Sequence, residues 1–164
     1  MVHAWRQHGA VPSATRSTVA GVLWKDSVQN DAWEAAGRGV VESVMKGYTG
    51  CVMCYGQTGA GKTFTLANEK PGQEGIMIQA FNHIFLTMAS ERELKYEVDI
   101  SYQQIYLDGI SDLLLPSAPV ELREDPKEGV YVSGATWESA TTTAEAIATL
   151  QKVCRRPPHR QHAA

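Results

Sequence analysis

Eight consecutive residues, Gly56-Gln57-Thr58-Gly59-Ala60-Gly61-Lys62-Thr63, satisfy the pattern G-x-x-x-x-G-K-[ST] at every fixed position. Each residue type in that order has a chemical use. The glycines let the backbone turn back on itself, so that successive N–H groups point into one concavity where phosphate oxygens can sit. A helix opening at Gly61-Lys62 adds the positive end of its dipole to the same place. Lys62 is a point charge long enough to reach β- and γ-phosphates, and Thr63 offers a hydroxyl to Mg²⁺. The competing reading, a glycine-rich turn that carries Lys-Thr by accident, has to match every fixed position by chance. The stretch is read as a nucleotide-binding loop.

Such a loop has to be delivered by a strand and continued by a helix. Gly50-Cys51-Val52-Met53-Cys54-Tyr55 is a short apolar run between glycines, which predicts a buried strand leading into the loop. Phe64, just beyond Thr63, has two open readings on its own: an ordinary core residue, or an aromatic face for a purine. Cys51-x-x-Cys54 has the spacing of a metal or redox pair, but an odd separation along a strand sends the side chains to opposite faces. Core packing is the expected role of both.

At 164 residues the chain is long enough for one domain with a real core. Its 43% apolar and 20% charged residues are those of a globular protein, and a net charge of −3 gives no reason to expect nucleic acid as partner. No apolar run approaches the roughly 20 residues of a membrane helix, so no membrane role is expected. Met1–Arg6 lacks the continuous apolar segment of a secretory signal. Three cysteines, an odd number, point to a reducing, intracellular compartment.

The other elements follow in order. Residues 1–18 carry no period and read as a disordered lead. Val22-Leu23-Trp24 reads as a strand end. Asn30 or Asp31 is the expected N-cap of a helix whose Trp33, Ala36, Val40, Val41, Val44 and Met45 fall at helical spacing. Gly47-Tyr48-Thr49-Gly50 ends it. After a polar loop from Asn68 to Gly75, Ile76 to Met88 restores a helical stripe, with His83 expected on the surface or at a cap. Tyr96, Val98, Ile100 and Tyr102 alternate with Glu97, Asp99 and Ser101, which predicts a strand that Gln103–Leu107 prolongs, followed by another over Ile110–Leu115. Val120–Arg123 and Val130–Val132 flank a turn-rich link and predict a hairpin. Thr142-x-x-Glu145 is a capping box ahead of Ile147, Leu150 and Val153, and 157–164 form a basic tail. Helices interleaved with strands around a phosphate loop argue an α/β three-layer core.

With these residues in place, the sequence resembles the kinesin motor domain. Tyr55-Gly56-Gln57-Thr58-Gly59-Ala60-Gly61-Lys62-Thr63-Phe64-Thr65 is similar to that family's Y-G-Q-T-G-x-G-K-T-x-T. Gln29 with Trp33 resembles S-Q-x-x-V-F, and Gly47–Gly50 resembles G-Y-N-G. Gly75-Ile76-Met77 resembles the opening of G-I-I-P-R-A. Ser101–Tyr106 with Asp112-Leu113-Leu114 resembles S-Y-x-E-I-Y-N-E-x-x-x-D-L-L. Arg123–Pro126 with Val130–Val132 and Gly134 resembles R-E-D-P-x-G-G-V-Y-V-x-G. The likeness runs from about Val22 to Arg156, so the chain divides into a lead (1–18), a partial motor domain (19–156) and the tail (157–164).

The resemblance implies a P-loop NTPase core of three α/β/α layers, ATP and Mg²⁺ as cofactors, and microtubules (tubulin) as partner. It further implies a place on the cytoplasmic cytoskeleton. Gly56, Gln57, Thr58, Gly59, Ala60, Gly61 and Lys62 would wrap the phosphates, Thr63 would ligate Mg²⁺, and Phe64 would lie against adenine. Thr49, Gln104 and Leu107 depart from the family's Asn, Glu and Asn, and are read as packing variations. The 164 residues contain neither N-x-x-S-S-R nor D-x-x-G-x-E, the family's switch I and switch II, and 1–18 hold no match to its first strand. The core is therefore expected to be incomplete, no catalytic residue is assigned, and the chain alone is expected not to turn over ATP. Two rival readings are a non-catalytic nucleotide- or partner-binding remnant and a small P-loop phosphotransferase.

Overall fold

The computed structural model describes residues 19–155, apart from 92 and 128. The expected lead and basic tail lie outside the described residues. The chain divides into two compact units, the first ending at Glu91 and the second beginning at Arg92. Among the described residues no helix is long and apolar enough to cross a membrane.

Among its described residues the first unit is helical. Helix α1 spans Gln29–Ala32, a π turn occupies Trp33–Gly37, and α2 spans Arg38–Met45. The helix starts earlier than the capping signals suggest. Val28 is the N-cap, and Asp31 sits inside the first turn with its carboxylate accepting the Val28 N–H at 2.9 Å. Asp31 thus serves as the reciprocal half of a capping box rather than as the cap. The π turn is closed by the Arg38 N–H donating to the Trp33 carbonyl. The Trp33 ring lies against Gly37, where an added Cβ would sit 2.2 Å from Cε3, so a missing side chain makes room for the ring. Trp33 and Val41 are buried with Ala32 and Ile76, and Leu23, Met45, Val52 and Leu66 pack around them. Val44, expected in the same stripe, is exposed.

After α2 the chain leaves through a Schellman turn. Tyr48 N–H donates to the Ser43 carbonyl (3.1 Å) and Gly47 N–H to that of Val44 (2.8 Å). Helices α3 (Lys62–Ala67) and α4 (Ile76–Ser90) follow. His83 lies partly covered on α4, with its ring 5.8 Å from that of Trp33, so it is an aromatic neighbour of the core and not the surface or capping residue expected.

Two strand expectations in this unit fail. Residues 22–24 and 51–55 take part in no ladder among the described residues. The 51–55 stretch keeps the alternation of an extended segment: Val52 and Cys54 are half-buried, whereas Cys51, Met53 and Tyr55 are exposed. A run that is apolar on both faces becomes a buried strand only where neighbours pair with both its edges. No described segment supplies one.

Among the described residues the second unit is built from three two-stranded antiparallel sheets and a helix. Strand β1 (Asp99–Ile100) pairs with β6 (Glu138–Ser139). Strand β2 (Gln103–Tyr106) pairs with β3 (Gly109–Asp112) in register Tyr106↔Gly109, so 103–106 turn into a hairpin of their own instead of prolonging the preceding strand. Strands β4 (Glu121–Asp125) and β5 (Gly129–Ser133) form the expected hairpin. The alternation from Tyr96 to Tyr102 survives as burial, with Ile100 innermost, although only two of those residues sit in a ladder. Helix α5 (Thr143–Cys154) starts as predicted. The Thr142 hydroxyl accepts the Glu145 N–H (3.2 Å), and Glu145 Oε2 accepts the N–H and hydroxyl of Thr141 at 2.7 and 2.8 Å. Glu138 Oε2 accepts from both the Thr149 hydroxyl (2.8 Å) and Lys152 Nζ (2.7 Å), which ties α5 to β6.

One side chain organises the β2–β3 end of this unit. Asp112 is 1% exposed, its Oδ1 accepts the N–H groups of Leu114 (2.7 Å) and Leu115 (2.9 Å), and its Oδ2 accepts that of Thr136 (2.5 Å). Burial opposes its ionisation, yet the donors around it hold the carboxyl below the ordinary aspartate value of 3.8.

Candidate functional site: the phosphate-type loop at residues 56–63

Local backbone geometry explains why this sequence makes a loop and then a helix. Gln57–Ala60 is a tight turn closed by the Ala60 N–H on the Gln57 carbonyl (3.2 Å), with Gly59 at φ +82°. Gly61 follows at φ +88° and is the N-cap of α3. Both angles lie in the left-handed region, which a side chain at either position would oppose. The first intrahelical bond runs from Thr65 N–H to the Gly61 carbonyl at 2.8 Å. The N–H groups of Lys62, Thr63 and Phe64 therefore precede the helical ladder and are the donors a helix start leaves over.

Lys62 folds back over the loop. Its Nζ donates to the carbonyls of Gly56 (2.7 Å) and Gln57 (2.8 Å). An ammonium has three N–H donors, so two set its position over the loop and one remains for an anion. Thr63 is exposed at the second helical position, where its hydroxyl can give one oxygen to a hard cation, and the rest of such a shell suits phosphate oxygens and water. The loop glycines, the three leading N–H groups, the ammonium and the hydroxyl are a donor set that fits a magnesium-bound polyphosphate.

Phe64 is 52% exposed, so the core reading of that residue does not hold. It borders a cavity of about 260 Å³ whose other walls include Trp24, Val28, Gln29, Tyr55 and Lys62. Tyr55, immediately before the loop, is 84% exposed. Residues 56–64 thus come together in one surface region, as their order in the sequence requires. Sequence reasoning assigned the 23–29 wall no part in the site, because it lies some thirty residues upstream of the loop; no local pattern links the two. Cys51 is exposed and Cys54 half-buried, on alternate sides of their extended segment, and burial pushes the Cys54 thiol up. Among the described residues no group of three His, Cys, Asp or Glu is arranged to hold a metal ion.

Comparison with known proteins places this geometry in a family. The kinesin motor domain profile matches residues 7–163. The chain is 43% identical over 119 residues to the kinesin-like protein KIN-UA of Oryza sativa subsp. japonica, covering 70% of this chain and 12% of that protein. It is 40% identical over 119 residues to the kinesin-like protein KIF3C of Bos taurus, again over 70% of this chain and 15% of the relative. Against human kinesin-like protein KIF18B the figures are 34% over 132 residues, 80% and 15%. The chain thus spans only 12–15% of the length of these relatives. The solved structure of a fast kinesin, described with its ATPase mechanism and its interactions with microtubules, superposes with a TM-score of 0.78 at 30% identity. That match covers 84% of this chain and 40% of the fast kinesin chain, and it assigns the P-loop α/β motor fold. The extended run into a glycine loop, the helix opening at Lys62 and the likeness across most of the chain agree, and the chain belongs to the kinesin motor domain family.

Proposed function

We propose that residues 19–156 are the nucleotide-binding part of an ATP-driven microtubule motor, acting on the cytoskeleton within a longer protein. The observation that carries this reading is the loop at 56–63 with Lys62 seated over it, in a chain of the kinesin motor domain family. Gly56–Gly61 shape the concavity, and the N–H groups of Lys62, Thr63 and Phe64 with the Lys62 ammonium neutralise polyphosphate charge. The Thr63 hydroxyl holds Mg²⁺, which when bound neutralises further charge on the phosphate oxygens. Phe64, exposed beside the cavity, gives its ring face to the adenine.

These groups bind and orient; they do not by themselves position a water for attack on the γ-phosphate. The 164 residues contain no further motif of the kind the family uses for that step. The chain is accordingly a binding unit whose turnover needs additional segments. The test is ATP hydrolysis with and without microtubules. The 164-residue chain should show negligible turnover in both conditions, and a protein that spans the whole motor and includes this chain should show microtubule-stimulated turnover. Stimulated hydrolysis by the 164 residues alone would overturn the division of labour. Phosphate transfer to a small acceptor, indifferent to microtubules, would favour a phosphotransferase instead.

A further inference from the structure

Gln29 is buried although it opens a helix. A buried amide needs partners, and it has them. Its Nε2 donates to the Phe64 carbonyl. Its backbone carbonyl accepts from Gln79 Nε2 (3.5 Å), which also donates to the Glu74 carbonyl at 2.8 Å. The starts of α1 and α4 are in this way tied to α3, across 35 and 50 residues of sequence.

The tie falls where α3 most needs it. Six-residue helices are marginal on their own, and α3 contains no fully buried residue. The Phe64 carbonyl would ordinarily take the N–H of the C-cap Asn68, but the chain turns extended at Asn68 (ψ 129°) and the Gln29 amide donates to that carbonyl. A carbonyl only accepts, so the amide must present its NH₂ end, which fixes which way Gln29 faces. Gln29 lines the same cavity as Phe64.

We infer that Gln29 is a positioning residue for the nucleotide site. It holds the Phe64 segment of α3 against the 23–29 wall and sets the place of the base, while the 56–61 turn and the Lys62 ammonium seated on it, which Gln29 does not touch, still hold phosphate. This rests on the proposed reading that a nucleotide binds the loop with its base against Phe64.

The test compares Mg-ATP with inorganic tripolyphosphate, which has no base, on the wild-type chain and on Gln29→Met and the near-isosteric Gln29→Glu. Losing one buried hydrogen bond should weaken Mg-ATP roughly tenfold in both variants, with tripolyphosphate affinity changed less than about twofold. Equal losses for both probes mark a general loosening of the unit and overturn the inference, as does no loss for either. If the wild-type chain fails to bind Mg-ATP, the proposed nucleotide reading fails. Amide exchange then decides the tie itself: exchange in Thr65–Ala67 that speeds up in Gln29→Met, with α5 unaffected, supports positioning, and unchanged exchange refutes it.

Discussion

Replacing Asp112 by alanine should cost the second unit several kcal/mol, and the structure says where that comes from. The carboxylate accepts three backbone N–H groups, from Leu114, Leu115 and Thr136. Leu115 is exposed and can turn its donor to water, whereas Leu114 is buried and Thr136 half-buried. At about 1–3 kcal/mol for each buried donor left without an acceptor, the latter two put the loss at about 2–6 kcal/mol. Asp112→Asn keeps one acceptor oxygen but turns an NH₂ group toward a third N–H, so it should lose about 1–3 kcal/mol.

The pH dependence gives an independent reading of the same contacts. Burial alone would raise the Asp112 pKa, but hydrogen bonds from Leu115, Thr136 and Leu114 leave it below 3.8. A folded-state value lower than the unfolded one means the ionised carboxylate stabilises the fold at every pH above the unfolded value. That contribution is lost as pH falls through 3.8 toward the lower folded value. Urea unfolding followed by circular dichroism, at neutral pH and in steps through this window, measures both effects. Asp112→Asn should lose less stability on acidification than wild type. An Asp112→Ala unfolding free energy within about 0.5 kcal/mol of wild type, or equal acid sensitivity in Asp112→Asn, would refute the reasoning.

Three further outcomes are expected. Leu107→Asn should stabilise the second unit by about 0.5–1 kcal/mol in the same urea assay: Leu107 (φ +46°, 81% exposed) and Asp108 (φ +61°) form the two-residue β2–β3 turn, where a branched apolar residue is strained. Gly37→Ala should destabilise the first unit by about 1–3 kcal/mol despite the better helix propensity of alanine, because the new methyl meets the Trp33 ring; Trp fluorescence reports it. Thr142→Ala should cost about 1 kcal/mol and speed exchange of the Glu145 amide at the start of α5.

The parts legible in the sequence are those whose determinants lie within a few residues of one another. The loop at 56–63, the α5 cap and the β4–β5 hairpin each carry their cause locally, in glycines, a Thr-Glu pair and a turn. The 50–55 run misled because a strand is defined by its neighbours, and apolar composition cannot say whether they are present. In the sequence Leu107 reads as a packing variant; its position concerns backbone conformation, which shows only once the two-residue turn is known. His83 beside Trp33 and Gln29 beside Phe64 are contacts across 50 and 35 residues, and no spacing rule reaches that far. Gln29 was visible only as part of a family-like segment, without a role. Asp112 likewise matched a D-L-L segment without any sign that it caps three amides.

The account stands on the loop at 56–63 binding a magnesium nucleotide through Lys62. Titrating the wild-type chain and Lys62→Ala with a fluorescent ATP analogue, with and without Mg²⁺, tests that most directly. Lys62 is held by loop carbonyls at the surface, so its removal should leave folding intact by circular dichroism. The account predicts Mg²⁺-dependent binding by wild type that weakens at least roughly tenfold in Lys62→Ala. Wild type that does not bind, or a variant that binds equally well, would contradict it.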